Sequence, residues 1–335
     1  MKLFVTGGAG FIGSVTVKKL LEQGHEVTVF DVLENGHRQA VDPRANLIQG
    51  DLRSRQSIME ALARDTFEAI IHFAGYIESG ESMKNPLKFF ENNFSAGLNL
   101  IKAALDKGIN SFIFSSTAGV YGTGKPPFTE ESPINTTSYY SMSKYFLEEA
   151  LRASFKANGL RVVVLRYFNA AGASLDGLLG ESHDPETHLI PLVIKTALAQ
   201  RPQIDLYGTD YPTPDGTAVR DYIHVEDLAD AHALSLVKFA RSLDGFFEIY
   251  NVGTGRGYSN REVINMVKEV SGNDFRVVEK PRREGDWDSS FADCGKIQRE
   301  LSWRAHFGLR EIVETAYLWH KKYPYGFTKE QTVRS

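Results

Sequence analysis

Thr6-Gly7-Gly8-Ala9-Gly10-Phe11-Ile12-Gly13 joins two patterns of different period. Before it lies a β-branched and aromatic run, Leu3 to Thr6. After it comes an amphipathic stretch near residues 12–23 that stops at Gly24. The octet satisfies both G-x-x-G-x-x-G (Gly7, Gly10, Gly13) and G-x-G-x-x-G (Gly8, Gly10, Gly13). Glycine suits this place because the backbone must turn tightly, admit a pyrophosphate with no Cβ in the way, and seat a helix against a strand. The helix N-terminus then faces the phosphates. Glycine clusters also make ordinary turns, so the surroundings matter. Asp31 ends the next strand-like run, 18 residues past Gly13. A carboxylate there can accept both ribose hydroxyls of NAD and would repel the extra phosphate of NADP. Its plain alternative is a solvated turn residue.

Working outward, further strand-like runs are Val27 to Phe30, Asn46 to Gln49, Ala69 to Phe73, Ser111 to Phe114 and Val162 to Tyr167. Helical patterns near 54–64, 86–107 and 138–157 alternate with them, and Pro86 sits where the second should start. Such alternation predicts an α/β fold with a doubly wound parallel sheet of Rossmann type. Asp51-Leu52 and Phe73-Ala74-Gly75, at strand carboxyl ends, are expected to line the adenine side and the cofactor wall. After Asn169 the rhythm breaks into Gly172 to Pro185 and Gly208 to Gly216. Loops this long in a compact protein are usually functional. A helix near 225–241 and a strand from Glu248 to Val252 are expected to return to the first sheet, with more helices near 259–271 and 308–321. The reading is an NAD-binding domain over 1–168, with return segments near 217–253, and a smaller discontinuous substrate domain over 169–335.

Composition narrows the class. The 335 residues are 42% hydrophobic and 24% charged with a net charge of -4, an ordinary globular balance without the footprint of a nucleic-acid binder. An anionic ligand must therefore be held by a few placed cations. One cysteine, Cys294, cannot form an internal disulfide, and no charged and apolar leader precedes the first strand, so a reducing cytoplasm is expected. Apolar runs are far shorter than the roughly 20 residues needed to cross a bilayer. No membrane segment and no set of metal ligands is read from the sequence.

A Tyr-x-x-x-Lys pair on a helix places phenol and ammonium on one face, a turn apart. Three matches occur: Tyr121/Lys125, Tyr140/Lys144 and Tyr317/Lys321. Gly122 and Gly124 argue against a helix at the first, which reads as loop. The third lies in a C-terminal amphipathic pattern with no hydroxyl-rich strand end before it, and reads as packing surface. Tyr140 and Lys144 follow Phe114-Ser115-Ser116-Thr117, whose hydroxyls can bridge phenol and substrate.

Gly7-x-x-Gly10-x-x-Gly13, Ser115-Ser116-Thr117-Ala118-Gly119-Val120-Tyr121-Gly122 and Tyr140-x-x-x-Lys144 resemble the extended short-chain dehydrogenase/reductase superfamily. Four more stretches resemble its UDP-glucose 4-epimerase family: His72-Phe73-Ala74-Gly75 with Gly80-Glu81-Ser82; Leu165-Arg166-Tyr167-Phe168-Asn169; Gly208 to Thr217; and Arg220-Asp221-Tyr222-Ile223-His224-Val225. The likeness spans residues 1–320. It implies an isomerase that oxidises and re-reduces C4 of UDP-glucose or UDP-galactose with tightly bound NAD, through a 4-keto sugar that rotates between the two steps. It implies further NAD contacts at Phe11, Ile12, Asn35, Gly36, Asn92, Ser115, Tyr167 and Phe168. UDP-sugar contacts are implied at Thr117, Tyr140, Asn169, His188, Leu189, Asp205, Leu206, Tyr207, Arg220, Arg283 and Asp286. Arg220 and Arg283 suit a diphosphate, though a surface ion pair is the commoner fate of an Arg.

In that scheme Tyr140 is the acid–base group, assisted by Lys144 and Thr117. Lys144 and the cationic nicotinamide must lower its pKa from about 10 toward neutrality, a shift of about 3 units or about 4 kcal/mol. Some family members carry a Lys where Ile77 stands, and others an Asn at His188. Four residues after the position of Asp286, members carry either a bulky Tyr or a small residue, here Ser290, which implies room for an N-acetyl group unless Trp287 or Phe291 fills it. Related dehydratases place Asp-Glu where Ala118 and Gly119 stand, which favours epimerisation over elimination. A UDP-glucuronate 4-epimerase or decarboxylase and a non-catalytic NAD-sensing regulator are the alternatives. The family also implies a homodimer joined through the helices near 86–107 and 138–157.

Overall fold

The computed structural model describes residues 1–242, 244–283 and 286–327. The first half runs β1 (Lys2–Thr6), α1 (Phe11–Glu22), β2 (Glu26–Asp31), β3 (Asn46–Gln49), α2 (Arg55–Leu62), β4 (Ala69–His72), α3 (Ser79–Lys84), α4 (Pro86–Phe89), α5 (Ala96–Asp106), β5 (Ser111–Thr117), α6 (Tyr139–Asn158) and β6 (Arg161–Tyr167). The second half adds β7 (Asn169–Ala171), α7 (Leu189–Ala197), β8 (Ile204–Tyr207), β9 (Val219–Arg220), β10 (Tyr222–His224), α8 (Val225–Arg241), β11 (Phe246–Val252), β12 (Tyr258–Ser259), α9 (Asn260–Ser271), β13 (Val277–Lys280), β14 (Ser289–Ser290), α10 (Gly295–Leu301) and α11 (Leu309–Lys322).

Seven strands form one parallel sheet in the order β11-β6-β5-β4-β1-β2-β3. Strands β1, β4 and β6 are buried on both faces because helices cover both sides, which is why they read as continuous apolar runs. Winding reverses between β1 and β4, and the crevice at their carboxyl ends is where this fold binds ligands. The second half re-enters the first: β11 pairs with β6 and α8 packs on α1. A third core, around Val193, Ile194, Val263 and Ile312, joins α7, α9 and α11 beside the β8 and β13 pair.

The helical pattern near 86–107 is one continuous rod, but it loosens to π-type turns over Phe90–Ser95. Such insertions are frequent at functional sites, and this one carries Asn92 and Asn93. Helix α6 begins on a capping box between Ser138 and Ser141 and ends at left-handed Gly159, which fixes the rotation of Tyr140 and Lys144 about its axis.

His232 of α8 ties the second half to the catalytic strand. Its Nδ1 donates to the Leu228 carbonyl at 2.8 Å, leaving Nε2 to accept from the Ser115 hydroxyl at 2.9 Å. Burial pushes this imidazole down to about 4 from an ordinary 6.5, against the Leu228 bond. Between pH 6.5 and 4 the unfolded chain therefore binds a proton that the fold refuses, and stability falls as pH falls. The share of one such group is about 1.4 kcal/mol per pH unit. Asp227, pushed up to about 6 by burial, works in the opposite sense, so the slope is best read by difference. His232→Gln is expected to flatten the fall in urea midpoint between pH 6.5 and 4.5. An unchanged slope would contradict the neutral, buried imidazole.

Candidate active site

One cavity of ≈ 460 Å³ runs from the glycine turn to Ser290. Gly7 sits at φ 74°, and a Cβ there would lie 2.5 Å from the Ala74 amide nitrogen. A Cβ at Gly13 would lie 2.2 Å from the Gly7 carbonyl oxygen, so any side chain at either place pushes the turn off the sheet. Gly10 caps α1 without a side-chain bond, which leaves the helix N-terminus facing the cavity. Asp31 is not a solvated turn residue. It is 7% exposed and accepts from the backbone N–H groups of Ala9 at 3.0 Å and Leu33 at 2.9 Å. Burial raises its pKa, and those two bonds oppose the rise. The carboxylate fixes the turn and still borders the cavity. Phe11, Ile12, Asn35, Gly36, Asp51, Leu52, Phe73, Ala74, Gly75, Asn92, Tyr167 and Phe168 border it too. The cradle and the buried acid suit a dinucleotide.

Sequence reasoning missed a second clamp on this wall. Asn93 accepts from the Tyr76 N–H at 2.8 Å and donates to its carbonyl at 2.9 Å, while the Tyr76 hydroxyl donates to Glu34 at 2.6 Å. Tyr76, Ile77 and Glu34 all line the cavity. An Asn inside a helical pattern gave no signal of this.

Of the three Tyr-x-x-x-Lys pairs, only the second has its tyrosine on the cavity. Thr117 lies beside the Tyr140 phenol and eases its ionisation, and its hydroxyl accepts from the Gly119 N–H at 3.0 Å. Lys144 is buried and donates to the Ser115 carbonyl at 3.1 Å. Ser115 thus contributes its backbone to the lysine, its hydroxyl being spent on His232. Tyr121 is not loop. It is fully buried, stacks on Phe128 with ring centroids 5.0 Å apart, and donates to Asn251 at 2.6 Å. The glycines after it end a short helical turn rather than exposing it. Tyr317 packs on the third core.

Burial dominates the acid–base setting of the chain's own groups. Burial pushes the Tyr140 phenol up to about 12, with Glu78 adding to the rise and Thr117 opposing it. Burial lowers Lys144 to about 8. The chain's own groups keep the phenol neutral rather than bringing it toward pH 7. Desolvation is the largest influence on the phenol, and the Lys144 ammonium is turned toward the Ser115 carbonyl.

At the far end stand Asn169, His188, Leu189, Arg220 and Ser290, with Trp287 and Tyr222 beside them. Arg220 reaches Asp286 at 3.6 Å. Arg283 does not line the cavity; its guanidinium lies over the Tyr207 ring at 4.0 Å. Asp205 accepts from Gln203 at 3.0 Å, and the Leu206 side chain is buried in the third core, leaving only its backbone for a ligand. Glu284 and Gly285, between Arg283 and Asp286, lie outside the described residues. His188 contacts Glu181, which also faces His183. Burial alone would hold both imidazoles neutral, yet Glu181 and Glu186 push His183 up to about 10, and Glu181 raises His188.

The pattern of the NAD dependent epimerase/dehydratase family fits residues 3–253. A UDP-glucose 4-epimerase of Lactobacillus helveticus is 42% identical over 329 residues, covering 98% of this chain and 99% of that protein. The crystal structure of the Bifidobacterium longum UDP-glucose 4-epimerase, in complex with NAD+ and UDP, superposes with a TM-score of 0.93 at 37% identity, covering 98% of this chain and 100% of that one. The UDP-Glc/GlcNAc 4-epimerase of Campylobacter jejuni superposes with a TM-score of 0.84 at 39% identity, covering 96% and 99%.

Proposed function

We infer the reaction from this premise: the chain belongs to the NAD-dependent epimerase/dehydratase family and, within it, to the UDP-glucose 4-epimerases. It interconverts UDP-glucose and UDP-galactose with NAD as cofactor. The observation that supports the assignment of roles is the shared cavity, whose wall includes the glycine turn, Tyr140, Thr117 and Arg220. Gly7, Gly10, Gly13 and Asp31 would hold NAD, which would supply the acceptor and donor of the C4 hydride and a positive charge opposing the upward pull of burial on the phenol.

Tyr140 removes the proton of the sugar 4-hydroxyl and later restores it, as general base and then general acid. Thr117 holds the phenol and the sugar hydroxyl in line. Lys144, fixed by Ser115, keeps an ammonium behind the phenol. Arg220 and the backbone at Leu189 grip UDP, so the 4-keto sugar can turn about its link to the diphosphate without leaving. Ala118 and Gly119 offer no side-chain proton donor or acceptor, which favours epimerisation over elimination of water. Because the cofactor is regenerated in each turnover, it gains nothing from leaving. NAD is therefore expected in the supernatant after the purified protein is denatured, at about one per chain by the logic of a bound prosthetic group. A preparation that is empty and consumes added NAD stoichiometrically would mark a net dehydrogenase instead.

The division into a cofactor domain over 1–168 and a substrate domain over 169–335 fits the separate third core. No helix among the described residues is long and apolar enough to cross a membrane. A reducing cytoplasm suits Cys294, a buried free thiol that donates to the Gly253 carbonyl at 3.2 Å. A homodimer is supported by an exposed apolar face on α3, α4 and α6. Met83, Leu87 and Phe146 are 55%, 78% and 41% exposed, and Phe146 stacks on Phe90 at 5.9 Å. Sedimentation is expected to give twice the chain mass, and Phe146→Glu to shift it toward one chain. A monomer in the unaltered protein would remove this reading.

A further inference from the structure

The loop before α7 carries four metal-ligating side chains at the spacing Glu181-x-His183-x-x-Glu186-x-His188. Each offers one ligand atom, and the four atoms lie within 4.8 Å of one another. His183 Nδ1 is 3.3 Å from Glu181 Oε1 and 3.9 Å from Glu186 Oε1, and His188 Nδ1 contacts Glu181 Oε1. Ligands about 2.0–2.2 Å from a tetrahedral ion stand roughly 3.3–3.5 Å from one another. The measured separations straddle that range, so small side-chain rotations suffice to seat an ion.

Hydrogen bonding within the loop does not use up this set. The Glu186 side chain is 4% exposed, and its Oε2 is buried with no hydrogen-bond partner among the described residues. A buried acceptor left unpaired is costly, and a cation would satisfy it. We propose that Glu181, His183, Glu186 and His188 bind one divalent transition-metal ion of the zinc class.

The donor set selects the ion. Two imidazoles and two carboxylates suit zinc or cobalt, whereas magnesium and calcium prefer all-oxygen sites. Two carboxylates neutralise a divalent ion, and the imidazoles, releasing their protons to solvent as the ion enters, serve as neutral ligands, so the half-buried cluster accumulates no net charge. Position gives the ion its role. The Glu181 carbonyl accepts from Trp319 Nε1 at 3.2 Å, and α7 starts at Leu189 directly after His188. An ion here staples the loop between those anchors and sets the wall on which His188 and Leu189 face the substrate. It takes no part in the chemistry at C4, so this inference goes beyond the reaction and does not depend on it.

The test uses the whole protein, stripped with EDTA, desalted into metal-free buffer and titrated with Co²⁺. One Co²⁺ per chain is expected, with the strong visible absorption of a four-coordinate site, displaced by Zn²⁺. Glu186→Gln and His183→Gln are each expected to weaken binding by about 100-fold or more, since even outer partners of a ligand are worth 10–100-fold. Zn²⁺ should raise the unfolding temperature of the native protein and not that of the variants. NAD content, measured on the same samples, verifies that each variant is folded. Absence of bound Co²⁺, a weak six-coordinate spectrum, or binding unchanged in both variants would overturn the proposal and leave the cluster an ion-pair network.

Discussion

Replacing Tyr140 by Phe is expected to lower turnover by about 100-fold or more, because a positioned general acid–base group contributes 10²–10⁴. Binding of UDP should be nearly unchanged, since the lost hydroxyl lies beside Thr117 and its proposed role is at the sugar 4-hydroxyl, not the diphosphate. The two decoy motifs separate catalysis from packing. Tyr317→Phe removes a hydroxyl on α11, far along the chain from the cavity wall, and should leave turnover intact. Tyr121→Phe breaks a buried bond to Asn251 and leaves Arg166 with one partner fewer. Its expected loss is about 1–3 kcal/mol of stability, with turnover per folded molecule preserved. Single-turnover kinetics beside urea melts distinguish the three. A folded Tyr140→Phe protein with ordinary turnover would show that the wrong pair had been chosen.

The second large effect concerns the sugar. Ser290 ends β14, pairs with Arg220 of β9, and is 4% exposed at the cavity. Its small side chain leaves space that a phenol would occupy. Trp287 also borders the cavity, and Phe291 packs toward Gly257. UDP-GlcNAc and UDP-GalNAc are therefore expected to be interconverted as well as the plain hexoses. Overpacking commonly costs 1–3 kcal/mol, so Ser290→Tyr should lower kcat/KM for UDP-GalNAc by about 10-fold or more and spare UDP-galactose. A native preference for UDP-galactose above about a thousandfold, unchanged by the substitution, would refute the idea.

Much of the fold was legible because its signals are local and periodic. The glycine turn between β1 and α1, the apolar runs of the seven-stranded sheet and the long amphipathic helices each announce themselves within a dozen residues. The return of β11 to the sheet was readable from a β-branched run following a helix. Strands β9, β12 and β14 were not, since two residues carry no period. Asp31 could be placed at a strand end by spacing, but its two backbone donors depend on how the turn folds back over β2. The surroundings of Tyr140 are hidden for a related reason. Sequence shows an ammonium one helical turn away, whereas burial and the direction of Lys144 are set by residues from β5 and α6 together. The cluster around Glu181 was passed over as part of a long loop, because its ligands converge only once that loop is folded against α11.

The most direct test is incubation of the purified protein with UDP-galactose deuterated at C4, in ordinary water and with no added NAD, followed by separation and mass analysis of the nucleotide sugars. UDP-glucose that retains the deuterium at C4 is predicted, because the hydride leaves and returns within one closed site. UDP-glucose formed with loss of that label, or no conversion until NAD is supplied and consumed, would contradict the account.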